Sequence, residues 1–249
     1  MIDLIQGDCF DYLKEMESES VDCIISDPPF GGITECHWDS KIDVVELHKQ
    51  LSRIIKPQGS VLLFCQQPFT TDLINANRDE FKYLWYWFKN RNGATFAHAK
   101  NRPLSRIEEI AVFSKGAVAH AGRSTRRMNY YPQGAVPGEL RTIKKDDSPN
   151  HRPRPLQVGR TYQQWTGFPH NVLTYAKPPK SWHPTAKPID LLRFLIRSYT
   201  LPGELVLDPF MGSGSTVKAA LLEGRRAIGI ERDSDYFSRV VKEIEDGNK

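Results

Sequence analysis

The sequence lacks a long apolar run, and its four cysteines form no Cys-x-x-Cys pair. Without about 20 consecutive apolar residues, no candidate membrane span is present. The first residues also lack the basic start and long apolar region of a signal peptide, so we expect a cytoplasmic protein. No histidine stands at metal-ligand spacing from a cysteine, which favours reduced thiols over disulfides or zinc at Cys9, Cys23, Cys36 and Cys65.

The net charge of +4 is unevenly distributed along the 249 residues. Residues 114–180 contain twelve Lys or Arg against three acids, a net charge of +9, so the rest of the chain carries −5. Eight of the seventeen prolines and several aromatics also lie in this segment. Basic residues interleaved with aromatics in a weakly periodic stretch predict a nucleic-acid surface in long loops, with a solvated, partly disordered insertion as the alternative. The candidate DNA-binding residues are Arg123, Arg126, Arg127, Lys144, Lys145, Arg152 and Arg154.

Apolar runs alternate with helical periodicity outside this segment. Candidate strands cover residues 2–5, 21–26, 61–65, 83–88, 107–113, 204–208 and 227–231. Candidate helices cover a short stretch near 13–16 and residues 42–56, 69–80, 188–199 and 216–223. This order predicts an α/β fold, a single doubly wound and mostly parallel sheet with an antiparallel pair at about 83–113 and a loop-rich basic insertion.

The stretch Ser26-Asp27-Pro28-Pro29-Phe30 follows an apolar strand. Each proline holds the residue before it extended and contributes no N–H group. The loop therefore presents carbonyl oxygens, one carboxylate and a flat ring at the carboxyl end of a buried strand, where open α/β sheets bind ligands. These groups suit a planar ligand with an NH2 group. The alternative is an ordinary strand exit, with Phe30 returning to the core.

A second strand ends in Asp208 and leads through small residues into a helix. The glycines allow close approach of a ligand to the backbone, and the helix start offers free N–H groups. Glu231 ends the next strand nineteen residues after Gly212, the spacing of an acid that binds ribose hydroxyls. The third glycine of a dinucleotide site is missing, and Asp208 would repel a pyrophosphate. An amino group, a sulfonium and an adenosine fit better, which indicates S-adenosylmethionine; the alternative is a strand-turn-helix that uses glycine for packing.

Three motifs together resemble the β-group amino-methyltransferases of DNA, which modify N6 of adenine or N4 of cytosine. They are residues 27–30 (Asp-Pro-Pro-Phe), residues 183–188 (His-Pro-Thr-Ala-Lys-Pro) and residues 208–216 (Asp-Pro-Phe-Met-Gly-Ser-Gly-Ser-Thr). The resemblance covers nearly the whole chain and implies a Rossmann-like methyltransferase fold in permuted motif order. It divides the chain into a catalytic part (1–113), a target-recognition insertion (114–180) and a cofactor-binding part (181–249).

Site residues follow from the resemblance position by position. Asp27, Pro28, Pro29 and Phe30 would be catalytic. The amino group of the cofactor would contact Asp208, and Thr185 with Lys187 would close over its methionine end. The implied cofactor-binding residues are Asp8, Cys9, Thr185, Lys187, Asp208, Phe210, Gly212, Ser213, Gly214, Ser215, Thr216, Glu231 and Arg232.

The implied reaction is methyl transfer from S-adenosylmethionine to N6 of an adenine flipped out of double-stranded DNA, without a metal. Asp27 at the first loop position is similar to adenine enzymes, and Phe30 replaces the more frequent tyrosine. The absence of a Pro-Cys dipeptide excludes the covalent chemistry of cytosine carbon 5. Methylation of cytosine N4 or of an RNA base, and a non-catalytic DNA-binding module, remain alternatives. The sequence leaves open a homodimer and a cognate endonuclease of a restriction-modification system.

Overall fold

The computed structural model describes residues 2–31, 41–89, 99–118, 125–143, 158–178 and 182–247. The chain divides into two compact units. The larger unit comprises Met1–Tyr131 and Asn171–Lys249, and the smaller comprises Pro132–His170. The division at 113 and 180 into parts with separate functions stays a prediction.

Sixteen helices and strands are formed by the described residues. In chain order they are β1 (Ile2–Gln6), α1 (Cys9–Glu15), β2 (Val21–Ser26), α2 (Val44–Ile54), β3 (Ile55–Cys65), α3 (Phe69–Ala76), β4 (Phe81–Phe88), β5 (Ile107–Phe113), β6 (Val136–Thr142), β7 (Thr161–Thr166), β8 (Val172–Thr174), α4 (Ile189–Tyr199), β9 (Leu205–Asp208), α5 (Ser215–Leu222), β10 (Arg226–Glu231) and α6 (Ser234–Gly247). The smaller unit contains the antiparallel pair β6 and β7.

The larger unit is built on an eight-stranded sheet in the order β1-β10-β9-β2-β3-β5-β4-β8. The first five strands in this order are parallel, and β5 runs antiparallel to both β3 and β4. The mostly parallel sheet and its antiparallel pair are thus confirmed. The chain leaves β2 towards β3 on one side and β9 towards β10 on the other. The gap between β2 and β9 is therefore the topological switch point, where α/β folds bind ligands.

Helices cover both faces of the sheet. In β2, Cys23 and Ile25 belong to the apolar cluster that includes residues of α4, α5 and α6. Ile24, which points to the opposite face, belongs to the cluster formed with α1, α2 and α3. All six residues of β2 are buried, as expected for a central strand covered on both sides. The doubly wound arrangement is confirmed.

Several bounds differ from those predicted. The helix predicted over 42–56 ends at Ile54, because Ile55 already pairs with Val21 as the first residue of β3. A register shift after Val21 brings Gly59 so close to β2 that a Cβ there would lie 2.7 Å from the Asp22 carbonyl oxygen. The helix predicted over 69–80 ends at Ala76. The strands β6, β7 and β8 and helix α6 were not predicted.

Three of the four cysteines are free thiols and lie buried at Cys9, Cys23 and Cys65. Cys36 lies outside the described residues. Within the described ranges, no helix has the length and apolarity needed to cross a membrane. In that same part of the chain, no three His, Cys, Asp or Glu side chains are grouped so that they could hold a metal ion.

Candidate active site

A cavity of about 590 Å³ opens at the switch point, where β1, β2, β9 and β10 end. Because these strands are parallel, their carboxyl ends bring side chains from both ends of the chain to one edge of the sheet. Most of the predicted site residues line this cavity. They are Asp8, Cys9, Asp27, Pro29, Thr185, Lys187, Asp208, Phe210, Gly212, Ser213, Ser215, Thr216, Glu231 and Arg232.

Three of the predicted catalytic and cofactor-binding residues, Pro28, Phe30 and Gly214, do not line the cavity. The Phe30 ring packs against the Phe69 ring, with centroids 5.1 Å apart, so it contacts the core in this structure. Gly214 has φ +69° and precedes α5; a Cβ there would lie 2.6 Å from Cγ1 of Val240 in α6. Its role in the structure is therefore to let α6 pack closely against this loop.

The buried carboxylate of Asp208 lies at the end of β9. It accepts hydrogen bonds from the Ser26 hydroxyl at 2.5 Å and from the Phe210 N–H at 3.2 Å. Burial raises the pKa of Asp208 to about 6, although the Ser26 hydrogen bond opposes this rise. Ser26 was not predicted as a site residue; its position directly before Asp27 was the available signal.

Glu231 joins the end of β10 to the loop after β9. One carboxylate oxygen accepts the N–H of Gly212 at 2.7 Å and the other accepts the N–H of Asp233 at 2.8 Å. Burial raises the pKa of Glu231. Gly212, with φ +51°, also lies against His183, whose ring atoms would be 3.2 Å from a Cβ at this position. A carboxylate has about four acceptor sites, so Glu231 retains acceptor capacity for a ligand in the cavity.

Asp8 has two roles, as the cap of helix α1 and as part of the cavity wall. Its carboxylate caps α1 by accepting the N–H of Phe10 at 2.9 Å, and it also lines the cavity. Arg232 lies 4.0 Å from the second oxygen of Asp8. Burial, together with the neighbouring Asp8 charge, raises the pKa of Cys9 to about 12, so its thiol stays protonated.

His183 closes one side of the cavity. Its ring lies 4.5 Å from the Tyr236 ring, and its Nδ1 accepts the N–H of Thr185 at 3.3 Å. Burial and the neighbouring Lys187 ammonium lower the pKa of His183 to about 4. At neutral pH His183 is therefore an uncharged wall of the cavity.

A chain of alternating charges begins at Asp27 and runs away from the cavity. Lys187 donates a hydrogen bond to Oδ2 of Asp27, and its Nζ lies 3.1 Å from Oε1 of Glu108. Lys89 donates to Oε2 of Glu108 at 2.6 Å. Glu108 stands at the start of β5, which runs antiparallel, so it reaches the same sheet edge as Asp27. Glu108 and Lys89 were not predicted, because their place beside Asp27 depends on the strand order.

These charged groups shift one another's proton affinity. Burial raises the pKa of Asp27, and the Lys187 ammonium opposes that rise. Burial acts in the same direction on Glu108, but the Lys187 and Lys89 ammonium groups hold its pKa below the usual range. Burial disfavours the charge of Lys187, yet Asp27 and Glu108 raise its pKa. The neighbouring charges therefore favour the ionised form of Glu108 and the protonated form of Lys187, whereas at Asp27 the effect of burial on the pKa outweighs that of the Lys187 ammonium.

Five of the predicted DNA-binding residues lie outside the described residues, namely Arg123, Lys144, Lys145, Arg152 and Arg154. Of the other two, Arg127 forms a short β-bridge with Ala117, and Arg126 directly precedes it. Neither lines the cavity. A role for this group in binding nucleic acid stays a prediction.

The chain is similar to known proteins over nearly its whole length. A family model described as DNA methylase matches residues 21–243. The DNA adenine methyltransferase YhdJ of Escherichia coli (strain K12) is 31% identical over 255 residues, which cover 97% of this chain and 82% of that protein. The type II methyltransferase M2.DpnII of Streptococcus pneumoniae is 26% identical over 271 residues, covering 99% of this chain and 90% of that protein.

Solved structures share the fold. The crystal structure of an M1.HpyAVI–SAM complex superposes with a TM-score of 0.62 at 23% identity, covering 98% of this chain and all of that chain. The PvuII DNA methyltransferase, described as cytosine-N4-specific, has a TM-score of 0.68 at 18% identity, covering 96% and 85% of the two chains. The Rossmann-like architecture predicted from the motifs is confirmed.

Proposed function

Because the chain belongs to the DNA methylase family of N6-adenine and N4-cytosine enzymes, we propose that it transfers a methyl group from S-adenosylmethionine to N6 of a flipped-out adenine in duplex DNA. The observation that carries this proposal is the state of Asp27. Oδ2 of this carboxylate is bound by Lys187, whereas Oδ1 is buried and has no hydrogen-bond partner among the described residues. A buried carboxylate oxygen without a partner is costly and is suited to accept an amino hydrogen from a ligand.

The cavity suits S-adenosylmethionine in size and chemistry. A volume of about 590 Å³ lies within the range of small-molecule sites. Asp208 would bind the amino group, Glu231 the ribose hydroxyls, and Asp8 with Cys9 the adenine. The hydroxyls of Ser213, Ser215 and Thr216 and the side chain of Thr185 would contact the methionine end. The carboxylates of Asp208 and Glu231 favour a ligand with cationic and hydroxyl groups over a pyrophosphate.

When bound, S-adenosylmethionine supplies an electrophilic methyl group on a sulfonium. The target nitrogen is a poor nucleophile because its lone pair is delocalised into the base. Hydrogen bonds accepted by Asp27 and by the Pro28 carbonyl would hold the amino hydrogens so that the lone pair is localised and aimed at the methyl group. After the nitrogen–carbon bond has formed and the sulfur–carbon bond has broken, the methylated nitrogen would lose one amino proton, and Asp27 would be its first acceptor.

The base must leave the duplex to reach Asp27, since its amino group is paired inside the double helix. Phe30 would stack on the flipped base. In the structure its ring contacts Phe69, so this role requires Phe30 to offer one face to the base while it keeps a core contact with the other. Two observations support N6-adenine as the target. Asp27 stands where cytosine enzymes typically have serine, and the relative YhdJ is named a DNA adenine methyltransferase.

The proposal is tested by incubating the protein with methyl-labelled S-adenosylmethionine and unmethylated DNA, then identifying the labelled nucleoside after hydrolysis. Labelled N6-methyladenine is expected. Labelled N4-methylcytosine would retain the fold and mechanism but overturn the choice of base. Absence of label in DNA would overturn the proposal in favour of an RNA substrate or a non-catalytic DNA-binding module.

Three further predictions accompany this function. They are a cytoplasmic location, a homodimer, and a cognate endonuclease. The last is supported by relatives named type II methyltransferases, such as M2.DpnII and M1.MboII of Moraxella bovis.

A further inference from the structure

Lys187 lies between two acids that come from different strands. Asp27 follows β2 and Glu108 stands at the start of β5, and both contact the same ammonium group. The side chains of Lys187 and Glu108 are each only 10% exposed. A long side chain buried this deeply loses rotamer freedom and water contacts, so its position is set by the two carboxylates.

The two oxygens of Asp27 have different surroundings. Oδ2 accepts the hydrogen bond from Lys187, while Oδ1 has no partner in the described part of the chain. The Lys187 ammonium also lies 4.9 Å from the centre of the Phe64 ring, which fixes it from a further side. Lys187 therefore restrains the rotation of the Asp27 carboxylate and occupies one of its two oxygens.

Glu108 in turn restrains Lys187. Its Oε1 contacts Lys187 and its Oε2 is hydrogen-bonded to Lys89. Glu108 does not line the cavity, so its effect on a ligand must pass through Lys187. Without Glu108, the Lys187 ammonium would have a single buried counter-ion and a wider choice of rotamers.

We propose that Lys187 and Glu108 are positioning residues for Asp27: Lys187 holds Oδ2 and leaves Oδ1 for the amino group of the base, and Glu108 holds Lys187 in place. This inference rests on the proposed function. It gives Lys187 a role other than the contact with the methionine end of the cofactor that the resemblance implied. The balance of charge supports it, because Asp27, Lys187, Glu108 and Lys89 carry two charges of each sign.

Three other titratable groups lie near this cluster. The Lys177 ammonium, the Asp208 carboxylate and the His183 ring each interact electrostatically with Asp27 or Lys187. His183 is neutral at the pH values of interest, and Asp208 is an acid whose charge would itself raise the pKa of Asp27. Lys187 is the one cation among these groups for which a hydrogen bond to Asp27 is observed in the described residues.

The first variant is Lys187→Met, which keeps the bulk of the side chain and removes its charge. Burial then acts on Asp27 without its counter-ion, so the pKa of Asp27 rises. In the cofactor-free protein, the ¹³C chemical shift of the Asp27 carboxyl, assigned by comparison with Asp27→Asn, should titrate at higher pH than in the wild type. The acidic limb of the single-turnover methyl-transfer rate should also move to higher pH.

The second variant is Glu108→Gln, which should lower the methyl-transfer rate at least about tenfold through loss of a buried charge-assisted contact. In this variant only Asp27 opposes the effect of burial on Lys187, so the pKa of Lys187 should fall. The methyl-transfer rate should therefore begin to decrease at a less alkaline pH than in the wild type. The Kd for S-adenosylmethionine and the thermal midpoint should stay close to wild type. Glu108→Asp, which keeps the charge, should restore the wild-type alkaline limb.

Glu109→Gln is the matched control. Glu109 is the next residue of the same strand, and its carboxylate accepts a hydrogen bond from Thr70 at 2.5 Å instead of contacting Lys187. The control removes the same charge and should keep the wild-type pH profile. The proposal is overturned if Lys187→Met leaves the Asp27 titration unchanged, or if Glu109→Gln reproduces the effect of Glu108→Gln. Failure of the proposed function is distinct, because wild-type protein would then put no methyl group into DNA.

Discussion

The Ser26 hydroxyl donates a 2.5 Å hydrogen bond to Oδ1 of Asp208, although the two residues are 182 positions apart in sequence. The same hydroxyl accepts the N–H of Phe210 at 3.2 Å. Ser26 is the last residue of β2, directly before Asp27, and Asp208 is the last residue of β9 and the predicted partner of the amino group of the cofactor. The hydrogen bond between Ser26 and Asp208 therefore joins the ends of the two strands directly. The two halves of the proposed reaction are therefore held at a fixed separation by neighbouring strands of one sheet.

Asp208→Asn should weaken binding of S-adenosylmethionine by roughly 30-fold or more, because a buried charge pair with the amino group is lost. The pKa of Asp208 is about 6 in the cofactor-free protein. Wild-type affinity should therefore rise as pH increases through about 6, and the variant should lose this dependence. Calorimetric titration between pH 5 and pH 8 measures both effects; equal affinity of the two proteins at pH 8 would exclude the proposed contact.

Asp208→Asn should also change how the stability of the protein depends on pH. Because the pKa of Asp208 is higher in the folded chain than in the unfolded chain, folding favours the protonated acid. The free energy of unfolding contributed by this group therefore falls as pH rises from the ordinary range of aspartate to about 6. At neutral pH Asp208→Asn should be at least as stable as the wild type, as shown by thermal melts without cofactor. A large loss of stability would mean that the amide cannot replace the hydrogen bonds of the acid.

Gly214→Ala should destabilise the protein by about 2 kcal/mol or more, through a positive φ and a close contact with Val240. Gly224→Ala is the control for backbone strain alone, since Gly224 has φ +71° and a Cβ there would meet nothing within 4 Å. Urea unfolding of both variants separates backbone strain from the clash. If the two variants lose equal stability, packing of α6 on this loop is not the reason for the glycine.

The sequence was sufficient to predict the parts of the fold and site that depend on local pattern. Buried runs such as 21–26 and the loops after Asp27 and Asp208 carry their own signals, and the structure places both loops at one cavity. The amphipathic spacing of Phe237, Val240 and Ile244 is a further local signal, and it is typical of a helix such as α6. The β6–β7 pair has no buried residue in either strand, so no apolar alternation marks it.

The remaining site residues could not be found from local pattern. Glu108 is the second residue of the strand predicted over 107–113, and nothing near it in sequence indicates that it meets Lys187, 79 residues later. Their contact exists because β5 runs antiparallel beside β3, which brings its first residues to the edge where β2 ends. Gly214 was assigned to the cofactor by resemblance, whereas its packing against Val240 depends on the position of α6.

The affinity for duplex DNA should depend less steeply on salt concentration when Arg126, Arg127, Arg152 and Arg154 are replaced by Ala. Each lost phosphate contact should reduce the slope of log K against log salt by about 0.9. Fluorescence anisotropy at several salt concentrations measures the slope. An unchanged slope would show that residues 114–180 are not the DNA surface.

A variant with the same loss of charge elsewhere controls for net charge. Four exposed basic residues of the larger unit serve this purpose, Lys14, Lys49, Arg78 and Lys242. Their replacement by Ala should change the slope less than replacement of the four arginines. Equal changes would indicate a response to total charge instead of a defined surface.

The most direct test of the account is single-turnover methyl transfer by Asp27→Asn at saturating S-adenosylmethionine and DNA. The account predicts a loss of roughly 100-fold or more in rate, since the buried acceptor and its charge are removed, with the Kd values for cofactor and DNA retained. Asp43→Asn is the control, because Asp43 also lines the cavity and caps α2, where Asn is an equally good cap. A wild-type rate in Asp27→Asn would contradict the central role of Asp27.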